Sequence, residues 1–210
     1  KRKTYIDQTK HTYPIEYMSK VAQYKKSIAK EDINLLELDK YNGEITLVDT
    51  DAELEKACSE IEQCSIIGID TETKPSFKKG MMNTVALLQI ATDKKAYIVR
   101  LKKVNMSQRL ADIFANEAIK KIGIAIFDDL KDLKKIIPFT DKSVVDLNLL
   151  TPKLGFESIG AKKLSALVLG IRISKRQQVS NWELEKLTQA QIDYAATDAW
   201  ICREIYLRLV

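Results

Sequence analysis

Apolar positions along the chain fall into short blocks whose spacing changes from one region to the next. Between residues 52 and 63 they recur at Leu54, Ala57, Cys58 and Ile61, the one-sided spacing of an amphipathic helix. Residues 65–69 form a short β-branched run followed by polar turn residues, which predicts a central strand. Two further strands are predicted over 85–91 and 96–99, joined by the turn Thr92-Asp93-Lys94-Lys95, and three strands so closely connected make an antiparallel meander. The pattern then alternates, with a helix over 107–116, a strand over 119–126, a helix over 128–136 and a short strand over 143–146. Such alternation calls for parallel strands with helices packed on their faces. From Leu147 onward only helical signals remain, punctuated by Gly155, Gly160 and Gly170. Ser180 with Glu183, and Thr188 with Gln191, have capping-box spacing, and the last helix is predicted from Gln189 to about Leu209.

With 210 residues the chain has room for one well-packed α/β domain, and two would be cramped. No apolar run approaches the length of a membrane span, and the N-terminal stretch lacks the apolar block of a signal peptide. The expectation is an intracellular protein, cytoplasmic or nuclear, with no membrane partner. The three cysteines, Cys58, Cys64 and Cys202, are odd in number and lack C-x-x-C spacing, so free thiols are expected rather than a disulfide framework or a zinc site. Charge changes the picture more. Residues 1–30 carry eight basic side chains against Asp7 and Glu16, a net of +6, which leaves −1 of the total +5 for residues 31–210. Residues 1–42 therefore read as a basic extension, draped over the domain or disordered, and residues 43–210 as the domain itself. Lysine doublets such as Lys120-Lys121 and Lys162-Lys163 are expected at solvated loops and helix ends.

Five positions carry candidate chemistry. Asp70 and Glu72 in GIDTET are two apart at a strand end, so their carboxylates project to one side of a sheet with Thr71 pointing away. At about 4 Å and an effective dielectric of about 20, their unscreened repulsion is on the order of 4 kcal/mol, which a divalent cation would reverse. Tyr194 and Asp198 are four apart, one turn of the final helix, with Ala195 and Ala196 leaving space beside them. Asp129, with Asp128, lies where a helix begins, a place that the helix dipole alone favours for acids. Each signal alone has an ordinary structural explanation; their order along one chain points to a carboxylate nest for divalent metal.

Taken in series, GIDTETKPSF with VALLQIAT, then KIGIAIFDDLKDL, then VSNWELEKLTQAQIDYAATDAW, resemble the three motifs of the DEDD superfamily of 3′-5′ exonucleases. Within it the chain is similar to the tyrosine branch that includes ribonuclease D and the Werner syndrome exonuclease domain. The resemblance implies a ribonuclease H-like fold with a mixed five-stranded sheet, the meander leading into parallel strands, flanked by helices and followed by a helical C-terminal part. It implies hydrolysis of DNA or RNA from the 3′ end by two Mg²⁺ or Mn²⁺ ions, releasing nucleoside 5′-monophosphates from single-stranded or 3′-ended substrates. A catalytically silent nucleic-acid-binding module with the same fold is the alternative. Carried over by position, Asp70, Glu72, Asp129 and Asp198 are the implied metal ligands, with Asp129 preferred over Asp128 because Leu130 follows it directly. Asp70 would bridge both ions, and Tyr194 would orient the attacking water, since a phenol of ordinary pKa near 10 is a poor base at neutral pH. The single histidine, His11, lies far from Asp198 in the chain, which disfavours the histidine branch. Lys175 and Arg176 are candidates for a backbone phosphate, Trp182 for a core anchor, and Phe77 with Met81-Met82 either contact the terminal nucleotide or cover the sheet.

Overall fold

The computed structural model describes residues 19–75 and 83–210, together with two short strands, β1 (Thr4–Ile6) and β2 (Thr12–Pro14), that pair antiparallel with each other. His11, Phe77, Lys78-Lys79 and Met81-Met82 lie outside the described residues. The main sheet comprises β3 (Glu44–Val48), β4 (Ile66–Thr73), β5 (Val85–Ala91), β6 (Lys95–Arg100), β7 (Lys120–Gly123) and β8 (Val144–Asp146), in the spatial order β3-β6-β5-β4-β7-β8. Strands β4, β5 and β6 form the antiparallel meander, whereas β7 and β8 add in parallel beside β4. The sheet thus has six strands rather than five. The additional strand is β3, which pairs in parallel with β6 at the sheet edge. Only Val48 of its five residues is buried, so the segment lacks the apolar run by which the other strands are recognised.

One face of the sheet is covered by α2 (Asp51–Ile61), α3 (Gln108–Ala115) and α4 (Ile126–Leu133), whose Leu54, Ile61, Leu110, Phe114, Leu130 and Leu133 pack on Ile67, Ile69, Leu88 and Ile90. The long helix α7 (Gln189–Leu209) crosses the opposite face, with Ile201 and Ile205 near Ile122, and Ala195 and Ala196 near Ile98. Three smaller elements, α5 (Leu147–Lys153), α6 (Ala161–Leu164) and a π-helical turn at Ser165–Leu169, join the two halves. Among the described residues no helix is long and apolar enough to cross a membrane.

Helix ends depart from expectation where a tertiary contact overrides the local signal. Thr188 and Gln191 do form a capping box, and so do Thr50 and Glu53 at the start of α2. Ser180 and Glu183 do not: Ser180 Oγ donates to Gln177 Oε1 at 2.6 Å, and residues 180–187 run as turns. Buried Arg100 donates to the carbonyls of Leu184 and Glu185, which ties that segment to the sheet in a non-helical form. Lys121, expected in solvent, is fully buried; its Nζ donates to Asn116 O at 2.7 Å behind α3, and burial pushes its pKa down to about 8.

Residues 19–42 lie against the domain. Val21 is buried, the Lys26 ammonium sits 4.6 Å from the Phe156 ring centroid, and α1 (Lys30–Leu35) follows. Arg172 N donates to Glu37 O at 2.8 Å and Asp39 N donates to Arg172 O at 2.9 Å, a strand-like clasp. Lys40 then pairs with Asp193 at 2.5 Å, and Tyr41 N donates to Thr197 Oγ1 at 3.0 Å, so this strap grips α7 one residue before each of Tyr194 and Asp198.

What sets the distance between α7 and β4 is Gly68. A Cβ at this position would lie 2.0 Å from Ala199 O and 3.0 Å from Arg203 N, backbone atoms that cannot swing aside. Replacing Gly68 by Ala is expected to destabilise the fold by about 3 kcal/mol, the upper end of overpacking costs. Urea denaturation checks this, and a loss under about 0.5 kcal/mol would show the helix free to retreat.

Candidate active site

Asp70 and Glu72 occupy the C-terminal half of β4 on the face that α7 crosses, as do Gly68 two residues earlier and its neighbour Ala199. Helical spacing places Tyr194 and Asp198 one above the other on α7, and the close approach at Gly68 brings Asp198 down onto the strand pair. Asp70, Glu72 and Asp198 each offer a carboxylate oxygen within 4.8 Å of the other two. They open into a cleft of about 230 Å³ that Lys175, Tyr194 and Cys202 also line.

Asp129 approaches from the other side. Helix α4 packs on the opposite face of the sheet, and Asp129 Oδ1 accepts a hydrogen bond from Thr71 Oγ1 at 2.5 Å. The alternation that turns Thr71 away from Asp70 and Glu72 is therefore what lets it hold Asp129, which stands outside the group of three carboxylates at the end of the same strand. Asp128 is exposed and Asp129 half-buried, in keeping with the preferred register. The turn that presents α4 bends through Ala125 in the left-handed region, φ 60°, and its N–H donates to Asp146 Oδ1 at 3.1 Å. Thr71 and Asp146 are thus two supporting residues that sequence reasoning passed over. Strand parity around Thr71 was a usable signal for the first; nothing in the local sequence marks the second.

Burial, joined at Asp70 and Glu72 by neighbouring carboxylates, disfavours the charged form of these groups. Burial first, then the charges of Asp198, Asp129 and Glu72, raise the Asp70 pKa well above the usual carboxylate range. Burial and then Asp198 push Glu72 up to about 8. Burial raises Asp129 to about 7 against the Thr71 hydrogen bond. Asp198 is also raised by burial, while Lys175 opposes the shift. Lys175, which the sequence places with Arg176 as a candidate for a backbone phosphate, donates from Nζ to Asp198 Oδ2 at 2.8 Å and lies 3.3 Å from Tyr194 Oη. Arg176 is exposed outside the cleft. Trp182 is buried, its ring 5.8 Å from that of Tyr194, as a core anchor should be.

One ammonium does not neutralise four carboxylates. Asp198 Oδ1 is buried without a hydrogen-bond partner, an arrangement that costs about 1–3 kcal/mol in a dry site. A hard, all-oxygen donor set with an orphaned oxygen and raised pKa values fits a divalent cation. Asp70, Glu72 and Asp198, with Asp129 beside them, are the residues able to hold such ions.

A family model described as 3′-5′ exonuclease matches residues 45–210. The bifunctional 3′-5′ exonuclease/ATP-dependent helicase WRN of Mus musculus is 31% identical over 150 residues, covering 69% of this chain and 11% of that protein. The crystal structure of the Aedes aegypti Nibbler EXO domain superposes with a TM-score of 0.74 at 26% identity, covering 81% of this chain and 90% of that one. Escherichia coli RNase D, described as an exoribonuclease involved in structured RNA processing, shares the fold with a TM-score of 0.73 at 21% identity, over 79% of this chain and 44% of that one. The chain spans about half or less of the length of the curated relatives it matches. With a matched segment that contains all five candidate residues, the chain belongs to the 3′-5′ exonuclease domain family.

Proposed function

We propose that the protein is a metal-dependent exonuclease that removes nucleotides from the 3′ end of a single-stranded or 3′-ended nucleic acid, in the tyrosine branch of the superfamily. The observation that carries this reading is the convergence of Asp70, Glu72 and Asp198, three mutually repelling carboxylates, beside Tyr194 in an open cleft. Two Mg²⁺ or Mn²⁺ ions held by these residues and Asp129 would supply a nucleophile at neutral pH and neutralise charge at the scissile phosphate. Tyr194 is buried, and burial followed by the Asp198 charge raises its pKa, so its hydroxyl stays protonated and acts as a hydrogen-bond donor or acceptor that orients water. Burial opposes the Lys175 ammonium, but Asp198, Asp70 and Glu72 around it keep it charged. It holds Asp198 in place and faces the cleft where a phosphate oxygen would enter. Water loses a proton as its oxygen adds to phosphorus, the bond from phosphorus to the 3′ oxygen of the preceding nucleotide breaks, the phosphate leaves on the released nucleotide, and the freed 3′ oxygen of the shortened strand takes up a proton to become a hydroxyl.

The reading is tested with 5′-labelled single strands of DNA and RNA of matched sequence, in Mg²⁺ or Mn²⁺, with chelator and 3′-blocked controls. Stepwise shortening that needs metal and a free 3′ end is expected, and the faster substrate reports the sugar preference. Retention of the strand without shortening would instead identify a silent binding module. Arg176, charged and outside the cleft, is expected to contact phosphate farther along the strand. Its replacement by Ala should reduce the slope of log affinity against log salt by about 0.7, the value for one phosphate contact on a single strand, with kcat retained.

A further inference from the structure

Strand β5 is buried at all seven positions, and in its middle stands Gln89, with 0% exposure. Neither its Nε2 nor its Oε1 has a hydrogen-bond partner. A buried amide with all of its hydrogen-bonding capacity unmet is rare in folded proteins, and packing alone would be served better by an apolar side chain of similar length. The strand register gives the amide a direction. Gln89 is the direct cross-strand partner of Asp70, and directly opposed residues of an antiparallel pair share a face with Cβ atoms about 4.5–5.5 Å apart. On its other side Gln89 pairs with Ile98, which packs with Trp182, Tyr194, Ala195 and Ala196. The amide therefore lies between the sheet and α7, beneath the carboxylates, on the same face as the other orphaned polar atom of the nest, Asp198 Oδ1.

We propose that Gln89 is a positioning residue of the carboxylate nest, whose amide N–H groups orient the carboxylate of its cross-strand partner Asp70 when that carboxylate holds metal. A ligand that binds a cation through one oxygen is fixed in place by a donor to the other, and such supporting donors govern affinity as well as orientation. Gln89 fits the task because it is a donor that carries no charge, so it adds nothing to the positive charge that Lys175 already supplies. The assignment rests on the metal-dependent reading above.

The test is Gln89→Met, which keeps length and removes the amide, read by thermal unfolding of the full chain with and without Mn²⁺. The metal-free midpoint is expected to stay or rise, because two orphaned polar atoms are gone. The Mn²⁺ concentration that gives half of the stabilising shift is expected to increase about 10- to 100-fold, the range for lost supporting partners of metal ligands. An unchanged Mn²⁺ requirement overturns the proposal whichever way the metal-free midpoint moves. Should the Met variant fail to fold, Gln89→Leu is read the same way, and failure of both would mark Gln89 as a packing residue. A parent protein that Mn²⁺ does not stabilise would overturn the metal-dependent reading itself, whereas a parent and a Gln89→Met variant stabilised alike would remove only the role of Gln89.

Discussion

Asp70→Ala is expected to lose kcat by about 10³-fold or more and, in metal-free buffer, to unfold at a higher temperature than the parent. The first effect follows from removing the carboxylate at the centre of the nest, since metal ions are worth several kcal/mol of charge stabilisation in such reactions and each 1.36 kcal/mol is about tenfold in rate. The second follows from repulsion. Asp70 sits beside Glu72 and Asp198, and their charges add to burial in raising its pKa. Relieving it should add about 1–2 kcal/mol, or roughly 2–8 °C at this chain length.

The sign of the pH dependence can be worked out from Glu72, raised to about 8, and Asp129, raised to about 7, each above its ordinary value. An acid whose pKa is higher in the folded state binds more protons there than in the unfolded chain. The stability it contributes is fully present below the ordinary carboxylate range and is lost as pH rises toward 7 to 8. The metal-free parent should therefore become less stable between about pH 5 and pH 8, with a shallower decline in Asp70→Ala and no such decline in saturating Mn²⁺. Thermal unfolding in chelator across that range is the measurement. A parent and variant with identical slopes would mean that these carboxylates do not share one electrostatic environment.

Much of the fold was legible because its strands are apolar and bounded by polar turns, as residues 65–69 and 85–91 are. Strand and helix periodicity pairs Asp70 with Glu72 and Tyr194 with Asp198, and the resemblance of the three segments in series to the superfamily motifs is what joined those pairs to Asp129. What could not be read is what tertiary contact decides. Strand β3 is half-buried at an edge and lacks a run; Ser180 has capping-box spacing, but Arg100 holds the segment that follows as turns. Lys121 follows the doublet rule for solvent until β7 carries it behind α3, where the carbonyl of Asn116 meets its ammonium. Lys175 looks like any loop cation, and only the fold folds it back against Asp198. Gln89 sits in an apolar run that reads correctly as a strand, yet its partner in the register is 19 positions away, beyond the reach of periodicity.

Tyr194→Phe separates the two roles that a tyrosine in this place could have. The substitution keeps the ring that packs on Trp182 and lies under the Lys175 ammonium, and Lys175 keeps its 2.8 Å bond to Asp198. Folding stability, the Mn²⁺ requirement and KM are therefore expected to stay near the parent values. If the hydroxyl orients the attacking water, kcat falls by about 10²- to 10³-fold, by analogy with a lost oxyanion-hole donor, because the lost contact matters in the transition state and not in the ground state. The pH dependence discriminates further. Burial, then Asp198 and Glu72, raise the Tyr194 pKa, so the phenol does not titrate in the working range and the Phe variant should show a pH–rate profile of the same shape at a lower level. A profile that lost a limb in the variant would make the phenol a proton carrier. An undiminished kcat would mean that Tyr194 only packs, and that the carboxylates and their metals position the water unaided.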